Sequence, residues 1–194
     1  MMQRKFILLT LIAIAGAGAI HAGDPVAGMP PPPPPPMPQP SAQHESLKKW
    51  TGTWDATAKT YFPGQPAAVE SKGLWSCKMM GGFWNLCDLQ SEMMGKPFLG
   101  HEFQGYDTHR KKFISMWIDT SADSQMQMEG TASADGKTVT MWGKGYNMAG
   151  VMSSFKTVGS WFDDDHYSWK MWDLPKGKGA KPVLIMDITY VRRK

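Results

Sequence analysis

The sequence has only two cysteines, Cys77 and Cys87, in 194 residues. That excludes a scaffold held by several bridges and a cysteine-clustered zinc site. It also lacks an excess of one charge, with 21 Lys+Arg against 17 Asp+Glu. Without Arg4 and Lys5, which lie in a leader, the balance is 19 against 17. No basic run occurs inside the domain, and Arg192-Arg193-Lys194 reads as a solvated end. A nucleic-acid partner is therefore excluded. Phe6 to Ile20 is the longest apolar stretch, too short and too rich in Ala and Gly for a membrane span, so the mature chain is expected to have none. Helical periodicity of useful length is missing after Trp50, which excludes a helix bundle and an α/β fold. No Gly-x-Ser-x-Gly, His-Glu-x-x-His or phosphate-cradling glycine loop occurs, and Gly143-Lys-Gly145 reads as strand relief.

What is present is a series of short extended segments. They run Gly52–Phe62, Val69–Met79, Phe83–Met93, Phe98–Asp107, Lys112–Asp119, Gln125–Ser133, Lys137–Tyr146, Met152–Phe162, His166–Leu174 and Val183–Arg192. The breaks between them are turn-formers such as Pro63-Gly64, Gly81-Gly82, Gly95-Lys96-Pro97 and Ala134-Asp135-Gly136. About ten strands with short connections imply an antiparallel meander, since parallel pairing needs longer crossovers. Closure into an up-and-down barrel removes the unpaired edges of such a meander. The predicted fold is an all-β, lipocalin-like barrel of about ten strands with one short N-terminal helix. Ser41 can cap that helix. Leu47 and Trp50, three apart, would share the face that covers a barrel opening.

Residues 1–22 read as a secretory signal with cleavage near Ala22, or else after Ala19. Residues 23–43 form a proline-rich linker that includes the unbroken run Pro30–Pro36, a polyproline II spacer. Residues 44–194 form the barrel domain. The expected location is periplasmic or secreted, and that compartment is oxidising. Cys77 and Cys87 lie equidistant from a turn centred on Gly82, which favours a cross-strand disulfide over two reduced core thiols.

Alternation assigns faces. If Trp54 points inward, so do Ala56, Ala58 and Thr60. The matching inward sets run from Val69 through Trp75 and Cys77 to Met79, and from Phe113 through Ser115 and Trp117 to Asp119. They continue with Tyr167, Trp169 and Met171, and with Leu184, Met186, Ile188 and Tyr190. The outward sets carry Lys59, Lys72, Lys78, Lys170 and Asp187, which a membrane barrel's apolar belt would not tolerate. Two strands stay open: His101 and Phe103 oppose Glu102 and Tyr106, and Met126 and Met128 oppose Gln127 and Glu129.

Several segments together resemble a bacterial family defined as a domain of unknown function, number 1579. They are Trp50-Thr-Gly-Thr-Trp54-Asp55, Gly81-Gly-Phe83, Met94-Gly-Lys-Pro-Phe98-x-Gly100 and Gly105-Tyr106-Asp107. To these add Lys111-Lys-Phe113 with Trp117-Ile-Asp119, Glu129-Gly130-Thr131 and Ile188-Thr-Tyr190-x-Arg192. The resemblance runs from about Leu47 to the end and implies a lipocalin-like barrel, without an established reaction, ligand or catalytic residue. The Cys77/Cys87 pair and the high methionine and tryptophan content depart from the family's pattern.

A lumen rich in aromatics with few polar groups suits a small apolar or amphipathic ligand. The ligand-binding candidates are Trp54, Trp75, Tyr106, Trp117, Asp119, Glu129, Trp169 and Tyr190. The same residues could instead simply fill the barrel. An inward Asp119 or Glu129 could serve an enzyme as general base. The proline spacer would equally suit a structural or interaction module of the envelope. His101 could ligate haem if it faced in, and Met79-Met80, Met93-Met94, Met126-x-Met128, Met148 and Met152 offer thioethers to Cu(I). The leading expectation is a ligand-binding protein without cofactor, metal site or catalytic residue; the oligomeric state stays open.

Overall fold

The computed structural model describes residues 33–194; the leader and the front of the proline run lie outside the described residues. The chain divides between Met37 and Pro38, and the barrel belongs to the unit Pro38–Lys194. Helix α1 (Ala42–Leu47) continues into a 3-10 turn, Lys48–Trp50. Ser41 stands at its N-terminus, where its backbone N–H donates to His44 Nδ1 at 3.0 Å. His44, Leu47 and Trp50 are all buried. The His44 ring meets Phe83 edge-on at 5.1 Å and Tyr106 at 5.7 Å.

Ten strands follow: β1 (Gly52–Thr60), β2 (Val69–Met80), β3 (Trp84–Met93), β4 (Lys96–Asp107) and β5 (Lys112–Asp119), then β6 (Met126–Ala132), β7 (Thr138–Tyr146), β8 (Met152–Trp161), β9 (His166–Leu174) and β10 (Val183–Arg192). Every predicted strand is present, with each end within two residues of its expected place. Each strand pairs antiparallel with the next, and β1 closes on β10, so the barrel has no free edge. The β3–β4 turn differs from the expected Gly95-Lys96-Pro97. It is the two-residue turn Met94-Gly95, whose φ angles of 54° and 75° are both left-handed, as a hairpin of this length requires. Lys96 and Pro97 therefore start β4.

The register confirms the assigned interior on β1, β2, β5 and β9. Trp54 stands opposite Trp75, and Trp75 opposite Leu89. On β10 the expectation fails at one residue. A bulge between Leu184 and Met186 resets the alternation, so Met186, Ile188 and Tyr190 face in as expected. Leu184 pairs with Trp172 on the outer face, while Ile185 packs against the interior cluster. Cys77 and Cys87 are direct cross-strand partners joined by a disulfide.

The two barrel ends differ. At the helix end Trp50, Trp54, Trp161, Tyr167 and Tyr190 pack in edge-on and tilted contacts with ring centroids 4.2–5.9 Å apart. Trp54 is completely buried there, and its indole N–H donates to the Trp50 carbonyl at 2.9 Å. Towards the other end the inward Leu89, Trp117, Asp119, Trp169, Met186 and Ile188 are only half-buried. One end is thus plugged, and the lumen borders solvent towards the other.

Candidate functional site

The lumen site is built from the middle of the strands. Trp75 (β2) stacks on Trp117 (β5) with centroids 6.0 Å apart and 24° between the planes. Tyr190 (β10) lies 6.0 Å from Trp75 and 5.9 Å from Tyr167 (β9). Two glycines make room for these rings. A Cβ on Gly100 would come within 2.1 Å of the Trp117 ring, and one on Gly159 within 1.6 Å of the Tyr167 hydroxyl. Each ring therefore lies over a strand position that has no side chain.

The acid in this chamber is Glu102. The turn at Met94-Gly95 sets Glu102 directly opposite Cys87, and β5 sets it opposite Trp117. Gln104 Nε2 donates to its carboxylate at 2.7 Å. Enclosure by the barrel wall pushes the Glu102 carboxyl up to about 7, and the hydrogen bonds from Gln104 and Ser115 only partly offset this. Burial, together with the Glu102 charge, raises both Tyr167 and Tyr190, so both phenols stay neutral. Glu102 can therefore hold or release a proton near neutrality, among neutral hydrogen-bond donors.

Among the described residues, two buried polar groups of the interior have no hydrogen-bond partner: the Trp75 indole N–H and the Asn85 amide. Trp75 is 4% exposed and Asn85 fully buried. A donor left unpaired in a dry site is costly, and the Trp75 N–H is such a donor at the edge of the ring cluster.

Of the eight candidates, the structure gathers Trp75, Trp117, Trp169 and Tyr190 around the lumen. Asp119 also faces in, and its Oδ2 accepts the Trp117 indole N–H at 2.6 Å. Trp54 belongs to the plugged end, and Tyr106 lies beside it against Phe113, at 5.0 Å. Glu129 must be withdrawn from the lumen. The register turns Met126 and Met128 inward and Glu129 outward, where it pairs with Arg110. His101 likewise faces out and bonds Asp88 at 2.6 Å, so the condition for a haem ligand in the lumen is not met.

The methionines separate by face. Met126, Met128, Met141, Met171 and Met186 gather around Phe155 and Trp169. Met80, Met93, Met94, Met148 and Met152 are exposed. The inner group is a deformable lining of the kind suited to variable apolar shapes. Among the described residues no group of three or more His, Cys, Asp or Glu could hold a metal ion. On the outer wall a groove of about 990 Å³ runs between Trp84, Phe103, Ile114, Met116 and Trp142. Among the described residues no helix is long and apolar enough to cross a membrane.

Sequence reasoning left Glu102 unassigned, although a signal for it existed. An inward disulfide fixes Cys87, and a two-residue turn at Met94-Gly95 then carries that face to Glu102.

Comparison with known proteins agrees with this geometry at the level of fold. Rv2717c from M. tuberculosis matches with a TM-score of 0.59 and 13% identity, over 80% of this chain and all (100%) of that one. The S-type phycobiliprotein lyase CPES from Guillardia theta matches with a TM-score of 0.52 and 11% identity, over 79% of this chain and 94% of that one. No curated protein matches the sequence. The model of one family, described as protein of unknown function (DUF1579), matches residues 39–192, and the chain belongs to that family.

Proposed function

We propose that the protein binds a small apolar or amphipathic molecule in the barrel lumen, and that it does so outside the cytoplasm. The observation that carries the binding reading is the half-burial of Leu89, Trp117, Trp169 and Ile188, which face inward yet keep exposed surface. A barrel filled by its own side chains would bury them fully. The lyase resembled above acts on phycobiliproteins by its name, and its likeness to this chain supports the barrel in which the ligand is placed. Export is supported by the leader-like residues 1–22 and by the Cys77–Cys87 disulfide. The division into signal, proline-rich linker and barrel belongs to the same proposal.

Titration with an apolar fluorescent probe tests the binding reading. Saturable one-to-one binding that weakens at least tenfold in Trp117→Ala is expected. Absence of saturable binding, with Trp54→Ala only destabilising the fold, rejects it.

A second reading is favoured by Glu102 itself. A carboxyl pushed up to about 7 is suited to general acid–base catalysis. An enzyme would lose turnover in Glu102→Gln while its fold and ligand affinity persist.

A further inference from the structure

The interior of the barrel has one sign of charge. Between the rims, the lumen-facing positions carry Glu102, Asp119 and Asp173 and, among the described residues, no lysine, arginine or histidine. The lysines of the strands point outward, as Lys170 does in its pair with Asp187 at 3.0 Å, except Lys96, which shares the inward alternation but stands exposed at the open rim, where β4 begins. Arg192 shares the inward alternation, but it lies at the plugged end. Two backbone carbonyls, Thr51 at 2.7 Å and Lys49 at 2.6 Å, hold its guanidinium there.

The three acids are not equivalent. Asp173 accepts from Ser153 and Asn147, and Asp119 accepts from Trp117 and Ser121. Glu102 has Gln104 and Ser115, both neutral, and no cation among the described residues. Every element packed against it contributes an uncharged group: the Cys77–Cys87 disulfide, Gln104, Ser115, Trp117, Tyr167 and Tyr190. An acid in this setting lacks a counterion. The same chamber holds a cluster of two indoles and two phenols, side chains whose ring quadrupoles attract positive charge. An anionic head would meet a carboxylate with nothing to neutralise it.

The unpartnered Trp75 N–H adds a second requirement. It belongs to the same ring cluster, is 4% exposed, and has no acceptor among the described residues. A ligand that fills the chamber must bring an oxygen or another acceptor to it.

We propose that the lumen ligand is an amphipathic organic cation with a hydrogen-bond acceptor close to its charge. Its head sits between Glu102 and the rings of Trp75, Trp117 and Tyr190, its acceptor meets the Trp75 N–H, and its apolar part lies among the inward methionines. This deepens the proposed function and rests on it. The elevated Glu102 carboxyl fits the same arrangement, because a bound cation favours its ionised form and binding then releases a proton as pH falls toward 7.

The test compares three probes with one acyl chain: octanoylcholine, methyl octanoate and octanoate. Each is titrated into the full chain at pH 8 by calorimetry and tryptophan fluorescence. The expected result is binding of octanoylcholine at least tenfold tighter than of either other probe. Glu102→Gln should remove that preference, weakening octanoylcholine far more than methyl octanoate. Asp119→Asn, read in parallel, should keep the preference, which separates the Glu102 site from a general effect of lumen charge. Near-UV circular dichroism checks that each variant is folded. Equal binding of the cation and the neutral ester, or tighter binding of octanoate, overturns the charge inference and leaves lumen binding intact. Saturable binding of none of the three overturns both.

Discussion

The guanidinium of Arg192 lies over the indole of Trp54, 4.0 Å from the ring centroid. The same side chain donates to the carbonyls of Thr51, Lys49 and Asp164 and pairs with Asp165 at 3.3 Å. The last strand thus clamps the entry of the first one and the plug that precedes it. A planar fork with several donors does this where a lysine would satisfy one carbonyl at a time. Arg192→Lys is expected to cost about 1–2 kcal/mol and Arg192→Ala about 2–3 kcal/mol. Urea unfolding measures both, and equal stability of Arg192→Lys and wild type would remove the clamp from the account.

Glu102 makes stability depend on pH in a direction opposite to an ordinary salt-bridged carboxylate. Its value in the folded barrel is raised from 4.5 to about 7. The folded state therefore holds a proton that the unfolded chain has released. That contribution is complete below about pH 4.5 and is lost as pH rises through about 7. Relative to Glu102→Gln, wild type should lose up to about 3 kcal/mol between pH 4.5 and 8. Parallel curves for the two proteins across that window would show that the carboxyl is not perturbed.

The Trp117 ring occupies the space above Gly100, where a Cβ would stand 2.1 Å from it. Gly100→Val should expel the indole towards the lumen and break its bond to Asp119. The expected cost is about 2–3 kcal/mol, together with loss of probe binding and a shift in tryptophan emission. An unchanged emission maximum would mean that the ring has another resting place.

Cys77 and Cys87 close a loop ten residues apart in sequence. Reduction, or replacement of both by alanine, should lower stability by about 2–3 kcal/mol on the loop-closure model. The unreduced, unfolded protein should take up no alkylating reagent. Two alkylated sites on that sample would contradict the bridge.

Strand number, the plug and the disulfide were legible because each rests on local chemistry. Turn-formers mark the strand ends, Leu47 and Trp50 share a face, and Gly82 centres a symmetric hairpin. Faces were legible only where alternation met no interruption. On β6 either face carries a usable set, and the long Thr120–Gln125 connection hides the register that turns Glu129 to Arg110. On β10 a single extra residue, invisible in the pattern, sends Leu184 outward. Glu102 was hidden for a different reason. Its inward direction follows only when the bridge at Cys87 and the turn at Met94-Gly95 are combined, and an acid among aromatics violates the usual polarity of an interior position.

The pairing of β1 with β10 has a consequence for assembly order. Thr51 and Arg192, 141 residues apart, meet only once β10 has been made. Until β10 arrives, β1 and β9 each present an open ladder of backbone donors and acceptors. A nascent or truncated chain that lacks β10 is therefore a sticky open sheet. Barrel closure has to wait for β10, and pairing of strands so far apart in sequence makes this a slow, late-closing topology.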